Sequence, residues 1–435
     1  MRLNIKNFAK IKEADIIIDG ITVIAGENNT GKSTVGKVLF SLFNSLQDID
    51  NKIVDDRANA IRNSCLVPFF ARAAIKESDF SEYAWITRLG FYTDIIKELK
   101  KTSDKKEKVT QDTIANAVKR AMDLSMADLD KVANSEEVVQ NICESVATVW
   151  NVSEDAIMSE IISRFFNKVF STQLNPLSHE AEKEAVLTLE IKGKYQKVCF
   201  QNNNCVKYEQ EITINHKAIY IDNPLIVDHL GNKKGLNQME KMLTDLLDKD
   251  KDDIFSGVVE KVLAEEKLTN IYKMLQTVVD GEIVVGQNEK FYLKSSKFKE
   301  PIVLQNLSTG LKYFVILKML LENGSLKEKD VVILDEPEIH LHPQWQIVYA
   351  ELIVLLQKTF DLSIVVTTHS PYFVDALNLF SCKYETDKQV NYYLSSNIDN
   401  MVKMEHVSDH IESLYRKMVS PVQILDTLRY ELNNK

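Results

Sequence analysis

A chain of 435 residues, 45% hydrophobic and 27% charged, has the composition of an ordinary globular protein and the length for two or three structural units. Its 53 basic and 63 acidic side chains leave a formal net charge of −10. That excludes a global positive field able to draw the molecule onto nucleic acid or anionic lipid, so any DNA contact has to be a local patch. Five scattered cysteines (Cys65, Cys143, Cys199, Cys205, Cys382) lack zinc-ligand spacing. The opening Met1-Arg2-Leu3-Asn4-Ile5-Lys6 is too interrupted by charge for a signal peptide. The apolar run 347–356 contains Glu351 and is too short for a bilayer. The expected compartment is the cytoplasm, with no membrane partner.

The first elements read as strands. Residues 3–8 and 14–18 alternate and are joined by a polar turn over 10–13, and 21–25 is a buried strand. It runs into Gly26-Glu27-Asn28-Asn29-Thr30-Gly31-Lys32-Ser33-Thr34. After Lys32 the apolar residues Val35, Val38, Leu39, Leu42 and Phe43 recur at helical spacing. The segment thus fits the Gly-x4-Gly-Lys-Ser phosphate loop in its strand-to-helix context. Gly26 and Gly31 let the backbone curl so that the N–H groups between them, those of Asn28, Asn29 and Thr30 included, face a β-phosphate. The following helix adds its positive end. Lys32 is placed for the β- and γ-phosphates, and the Ser33 hydroxyl, followed by Thr34, for Mg2+. A glycine turn of this pattern arises by chance in fewer than about one chain in twenty of this length.

From 48 to 181 glycine almost vanishes and the apolar period is helical, without a sustained heptad. This predicts a helical insertion closed by Asn175-Pro176-Leu177-Ser178. Strand patterns return over 185–191, 195–200, 205–214 and 218–222, with Asn202-Asn203-Asn204 as a hairpin turn. Residues 234–277 read as helical, and 282–285 with 290–293 as a short hairpin. From Leu311 a helix, a strand ending at Asp335, a helix, a strand ending at His369 and a tail follow one another. The prediction is an α/β fold: a head of 1–47 and 182–435 with a largely parallel, buried sheet, an antiparallel β lobe and flanking helices, interrupted by the insertion 48–181.

Asp335 ends the run Val331-Val332-Ile333-Leu334, so its carboxylate emerges at the C-terminal edge of the sheet, where α/β proteins bind ligands. An Asp-Glu pair after a strand can be plain surface charge. Beside an intact phosphate loop, Asp335 reads as a Mg2+ ligand, either direct or through a bound water, and Glu336 as the base that polarises the attacking water. Ser308, in Leu307-Ser308-Thr309-Gly310-Leu311-Lys312, is spaced as the N-cap of an amphipathic helix. Capped helix starts also bind phosphate, and Ser308 and Gly310 could present donors to the γ-phosphate of a nucleotide held by a second subunit. His369 follows a buried strand and can hydrogen-bond a γ-phosphate from that edge. His340 and His342 lack the i, i+4 spacing of a zinc pair and read as shaping their loop. The lysines between 97 and 108 are interleaved with acids and read as a solvated helix end. No Asn-Lys-x-Asp motif is present, which favours ATP over GTP.

Together these segments resemble the ABC-type ATPase heads of the SMC, RecF and OLD group, of AAA-15 or AAA-21 type. The resemblance rests on Ile5-Lys6-Asn7-Phe8 with Gly26 to Thr34, on Leu307 to Lys312, on Leu334-Asp335-Glu336-Pro337-Glu338 with Leu341-His342-Pro343, and on Thr368-His369-Ser370-Pro371. It implies two heads closing on two ATP molecules as a homodimer or higher oligomer. Ser308 and Gly310 would cap the partner's γ-phosphate, Glu336 would be the catalytic base and His369 the switch. Thr309 replaces the first glycine of the transporter-type signature, and Asp222 or Asn223 stands where a Q-loop glutamine would. The tail is too short for the nuclease of OLD proteins. Such ATPases resemble those of bacterial anti-phage systems of PARIS, Septu or retron-linked type, which act with a separate effector protein. The rival expectation is a RecF-like clamp on DNA; a transporter subunit fits least, given the size and polarity of the insertion.

Overall fold

The computed structural model describes residues 1–73, 84–105, 107–125, 135–176, 183–248, 258–286, 290–398 and 401–433. They form two compact units, one of Met1–Gln47 with Ile162–Lys435 and one of Asp48–Ile161. The expected end of the insertion, at 181, lies outside the described residues. The chain opens with β1 (Arg2–Phe8), β2 (Ile11–Ile17), β3 (Ile21–Gly26) and α1 (Lys32–Leu46). The helices α2 (Ile49–Ala73), α3 (Ala84–Thr87), α4 (Leu89–Asp104), α5 (Gln111–Leu124), α6 (Ser135–Trp150) and α7 (Glu154–Phe170) follow. Next come β4 (Ala185–Ile191), β5 (Lys194–Gln201), β6 (Asn204–Gln210), β7 (Ala218–Ile221), α8 (Gln238–Leu247) and α9 (Val258–Val278). The remainder is β8 (Glu282–Val285), β9 (Phe291–Lys294), β10 (Ile302–Val303), α10 (Thr309–Glu322), β11 (Val331–Asp335), α11 (Pro343–Phe360), β12 (Ser363–Thr368), α12 (Pro371–Lys383), β13 (Val390–Ile398), β14 (Met401–His406) and α13 (Ile411–Asn433).

The first unit is built on an eleven-stranded mixed sheet of order β6-β5-β4-β1-β2-β14-β13-β3-β12-β11-β7. Its half from β7 to β13 is parallel, and β1, β2, β4, β5 and β6 pair antiparallel. Burial on both faces explains why β3, β11 and β12 are runs of Val and Ile rather than alternating strands. On one face Val23, Ile221, Val332, Leu334 and Val366 pack with Phe314, Leu317, Tyr349, Ile353 and Phe373 from α10, α11 and α12. Each such fully buried side chain contributes roughly 1.5–3 kcal/mol. The alternate residue Ile333 faces the other way, onto α1, where a Cβ on Gly36 would stand 2.7 Å from its Cγ2.

Two strand limits differ from the sequence reading. Lys12 and Glu13 lie in β2, not in a turn: Phe8 pairs with Ile11, and the polar residues are simply the exposed side of a strand whose Ile11 and Ala14 are buried. β6 ends at Gln210, short of 214. The Asn202-Asn203 turn has φ of 50° and 60°, as a two-residue hairpin of type I′ requires. The larger departure is in the tail. β13 and β14 insert into the middle of the sheet, β13 parallel to β3 and β14 parallel to β2.

The second unit has its own core, in which Ala58 and Ile61 of α2, Tyr92 and Ile95 of α4, Val118 of α5 and Val146 of α6 are buried together. Arg57 lies 4.7 Å from the Trp150 ring centroid and donates to the Val152 carbonyl at 3.0 Å. Among the described residues, no helix is long and apolar enough to cross a membrane.

Candidate nucleotide site

The parallel strands β3, β12 and β11 lie side by side, so the segments leaving their C-terminal ends meet at one edge of the sheet. The first is the loop 26–34. Gly31, left-handed at φ 71°, is the N-cap of α1 and has no side chain with which to cap it, so the N–H groups of the first turn suit an anionic ligand. The loop is held by its own bonds. Thr30 Oγ1 donates to the Glu27 carbonyl at 2.7 Å, and Lys10 Nζ donates to Asn29 Oδ1 at 2.6 Å. Asn28 and Asn29 are exposed, whereas Thr30 and Lys32 are buried.

Lys32 Nζ donates to the carbonyls of Gly26 at 3.3 Å and Glu27 at 2.9 Å and stands 3.8 Å from Glu336 Oε1. Burial pushes its pKa down, and Glu336, Asp335 and Glu338 push it back up. The two loop carbonyls keep a buried ammonium satisfied in a form that phosphate oxygens can replace.

Asp335 joins three strands and the loop. Ser33 Oγ donates to its Oδ1 at 2.9 Å, Thr367 Oγ1 donates to the same oxygen, and Tyr220 OH donates to Oδ2 at 2.6 Å. A hydroxyl and a carboxylate oxygen in contact are the hard donors Mg2+ takes while keeping several waters, so Ser33 and Asp335 fit that ion. Glu336 turns out of the strand with φ 50°, a left-handed conformation costly for a residue with a Cβ. Its N–H is tied to the Thr367 carbonyl and hydroxyl, both at 3.1 Å. The turn brings Glu336 Oε1 within 2.6 Å of His369 Nε2, with both side chains about a quarter exposed (25% and 28%).

Ser308 and Gly310 take no part in these bonds. Ser308 occupies the N-cap position of α10, where its spacing puts it, although its side chain makes no capping hydrogen bond, and it is exposed. Gly310 is buried against the turn after β11, where a Cβ would stand 2.7 Å from the His340 carbonyl oxygen. Lys312 anchors the same helix by donating to Asp228 Oδ1 at 2.6 Å and to the Gln305 carbonyl at 3.1 Å. His342 Nδ1 accepts from Gln344 N–H at 3.4 Å at the start of α11. Asn223 caps a 3-10 helix through Leu225 N–H at 3.0 Å, and the pKa of Asp222 is raised by burial and by Asp335.

Several groups of the cluster carry no motif. Tyr220 and Thr367 are ordinary strand residues until β7 and β12 pair on either side of β11. Ser395 comes from β13: its Oγ lies 2.5 Å from Thr30 Oγ1 and donates to the Ala25 carbonyl at 3.2 Å. Gly26 is squeezed by the same strand, because an added Cβ would be 2.2 Å from Ser395 Oγ and 2.5 Å from its carbonyl oxygen. Gly26→Ala should therefore cost about 1–3 kcal/mol of stability, read as a lowered thermal midpoint, with weakened nucleotide binding; an unchanged midpoint would contradict this packing.

Residues 1–374 match the model of the AAA-15 family, described as AAA ATPase domain. Two relatives are similar in sequence. One is the Retron Ec83 probable ATPase of Escherichia coli, 27% identical over 292 residues that make up 61% of this chain and 46% of that protein. The other is the Septu protein PtuA of Bacillus thuringiensis, 30% identical over 143 residues, 24% of this chain and 35% of that protein. The matches span less than half the length of either relative. Among solved structures, an SMC head bound to the C-winged helix domain of ScpA aligns with a TM-score of 0.46 at 12% identity, over 95% of this chain and 98% of that one. The SMC head domain from Thermotoga maritima aligns with a TM-score of 0.39 at 10% identity, over 93% and 98%. Matched over residues 1–374 of 435, the chain belongs to the AAA ATPase domain family.

Proposed function

We propose that this ATPase domain is a molecular switch in which two copies enclose ATP between them, hydrolyse it and pass the change of state to a separate effector protein, in bacterial anti-phage defence. The observation that carries the reading is a division of labour. Lys32, Ser33, Asp335, Glu336 and His369 gather at one sheet edge, while the start of α10 presents an exposed Ser308 whose side chain makes no capping bond, suited to a nucleotide held elsewhere. The defence role is supported by likeness to the retron and Septu proteins.

In this reading the N–H groups of the loop and Lys32 bind the phosphates, the ammonium exchanging two carbonyls for phosphate oxygens. Ser33 and Asp335 would hold Mg2+, which would supply charge neutralisation to the phosphates. Tyr220 and Thr367 hold the Asp335 carboxylate in place from either side. Glu336 Oε1 takes the proton of the attacking water, and His369, already hydrogen-bonded to that oxygen, orients it and senses the γ-phosphate.

Lys32→Ala tests the first step. It removes a charged donor worth ~2–3 kcal/mol to a phosphate, so ATP affinity should fall about 30- to 150-fold by calorimetry. Binding as tight as the parent's would overturn the loop assignment. The effector is tested by native co-purification: a stoichiometric second protein that leaves on ATP addition or turnover supports the switch.

A further inference from the structure

Glu338 is a buried acid that the hydrolytic scheme leaves without a role. It lies two residues beyond Glu336, is 6% exposed, and faces the exit of the neighbouring strand. Its Oε1 alone accepts three hydrogen bonds from consecutive residues there: from Thr368 Oγ1 at 2.6 Å, His369 N–H at 2.7 Å and Ser370 N–H at 3.2 Å. A second link joins the same two segments. Gln346 donates to the Glu338 carbonyl at 3.3 Å and accepts from Ser370 Oγ at 3.0 Å. Burial pushes the Glu338 pKa up, against the pull of the Thr368 hydroxyl and the His369 N–H. A buried carboxyl is costly unless its bonds are good, so its placement needs a reason.

The geometry supplies one. The middle donor of the three is the backbone of His369, whose Nε2 lies 2.6 Å from Glu336 Oε1. Glu336 and Glu338 sit on one turn, so the acid that fixes the histidine backbone is covalently tied to the acid that meets its ring. Three bonds to one oxygen fix position and direction at residues 368–370, which a single bond would not.

We propose that Glu338 is a positioning residue for His369: its carboxyl oxygen locks the exit of β12 to the turn after β11, so that the imidazole and Glu336 stay in hydrogen-bond register. The proposal rests on Glu336 and His369 being the hydrolytic pair. Glu338 itself touches no reacting atom, and its contribution should appear in turnover rather than in nucleotide binding.

The experiment compares steady-state ATP hydrolysis and calorimetric ATP affinity for Glu338→Ala, Glu338→Gln, His369→Ala and the double variant Glu338→Ala/His369→Ala. Glu338→Ala should lower kcat about 10- to 100-fold while the ATP Kd stays within about threefold. Glu338→Gln keeps the acceptor oxygen and places its NH2 where Oε2 makes no hydrogen bond to the described residues; kcat should recover to within about fivefold of the parent. In the His369→Ala background the Glu338→Ala change should add less than about twofold, because residues acting as a unit are not additive. Thr368→Val, which removes one donor at constant shape, repeats the test should Glu338→Ala not fold; a kcat several-fold lower at unchanged Kd is expected. Parent-like turnover in Glu338→Ala or Thr368→Val beside an impaired His369→Ala overturns the proposal. So does a glutamine variant no better than alanine, or an additive double variant. If His369→Ala and Glu336→Gln themselves turn over normally, the hydrolytic-pair reading has failed and the proposal falls with it, a distinct result.

Discussion

Glu336→Gln should leave ATP binding intact, reduce hydrolysis roughly 10²- to 10⁴-fold, the range over which a general base contributes, and accumulate an ATP-bound dimer. The amide keeps the size of the side chain and can still hydrogen-bond His369, now 2.6 Å from Oε1. It cannot take a proton from water. It also removes the negative charge 3.8 Å from Lys32 Nζ, which leaves that ammonium freer to pair with phosphate, so affinity should hold or rise. The substitution does not disturb the left-handed turn at φ 50°, because glutamine and glutamate place the same strain on the backbone. Light scattering with ATP reads the oligomer, and phosphate release reads the rate. A variant that hydrolyses normally removes Glu336 from the base role. One that stays inactive but never associates with ATP removes the enclosed-nucleotide mechanism and leaves the base role standing.

The candidate site was legible where local pattern and strand order coincide. Gly26 to Thr34, Asp335-Glu336 and His369 each follow a run of buried apolar residues, and three such runs in parallel register bring their ends to one edge. The fold class was readable for the same reason, since Val-rich strands alternating with helices imply a covered parallel sheet. What pattern could not show was non-local pairing. Residues 390–406 look like an undistinguished tail, yet β13 slides between β2's neighbour and β3 and places Ser395 beside Thr30, 365 positions away in the chain. Tyr220 carries no motif, and its bond to Asp335 appears only when β7 closes the edge of the sheet. Ser308 does stand at the N-cap of α10, as its type and place suggest, but whether its side chain bonds there depends on a rotamer that spacing does not encode. Glu338 offered the subtler hint of an acid in a turn between Pro337 and buried Leu341.

Mixing Lys32→Ala with Ser308→Arg should restore activity that neither variant has alone. If each nucleotide lies between the loop of one copy and the α10 start of the other, a mixed dimer contains one site with both defects and one site with neither. Half of randomly formed dimers are mixed, so an equimolar mixture should recover about a quarter of parental hydrolysis, as two-fold symmetry dictates. Ser308 is the right position for this test. It is exposed and makes no capping bond in its own chain, so arginine there should cost little of the ~1 kcal/mol that a lost cap normally carries. Its bulk and charge would instead meet the partner's nucleotide. Gly310 would be a poor choice, because a side chain there collides with the His340 carbonyl of the same chain, 2.7 Å from the added Cβ, and damage within one copy would mimic a defect between copies. Two results would refute the shared site: a Ser308→Arg protein with full activity, or a mixture no more active than the mean of its two components. Recovery that grows with total protein concentration, as expected when association is limiting, would tie the activity to the pairing of copies rather than to either chain by itself.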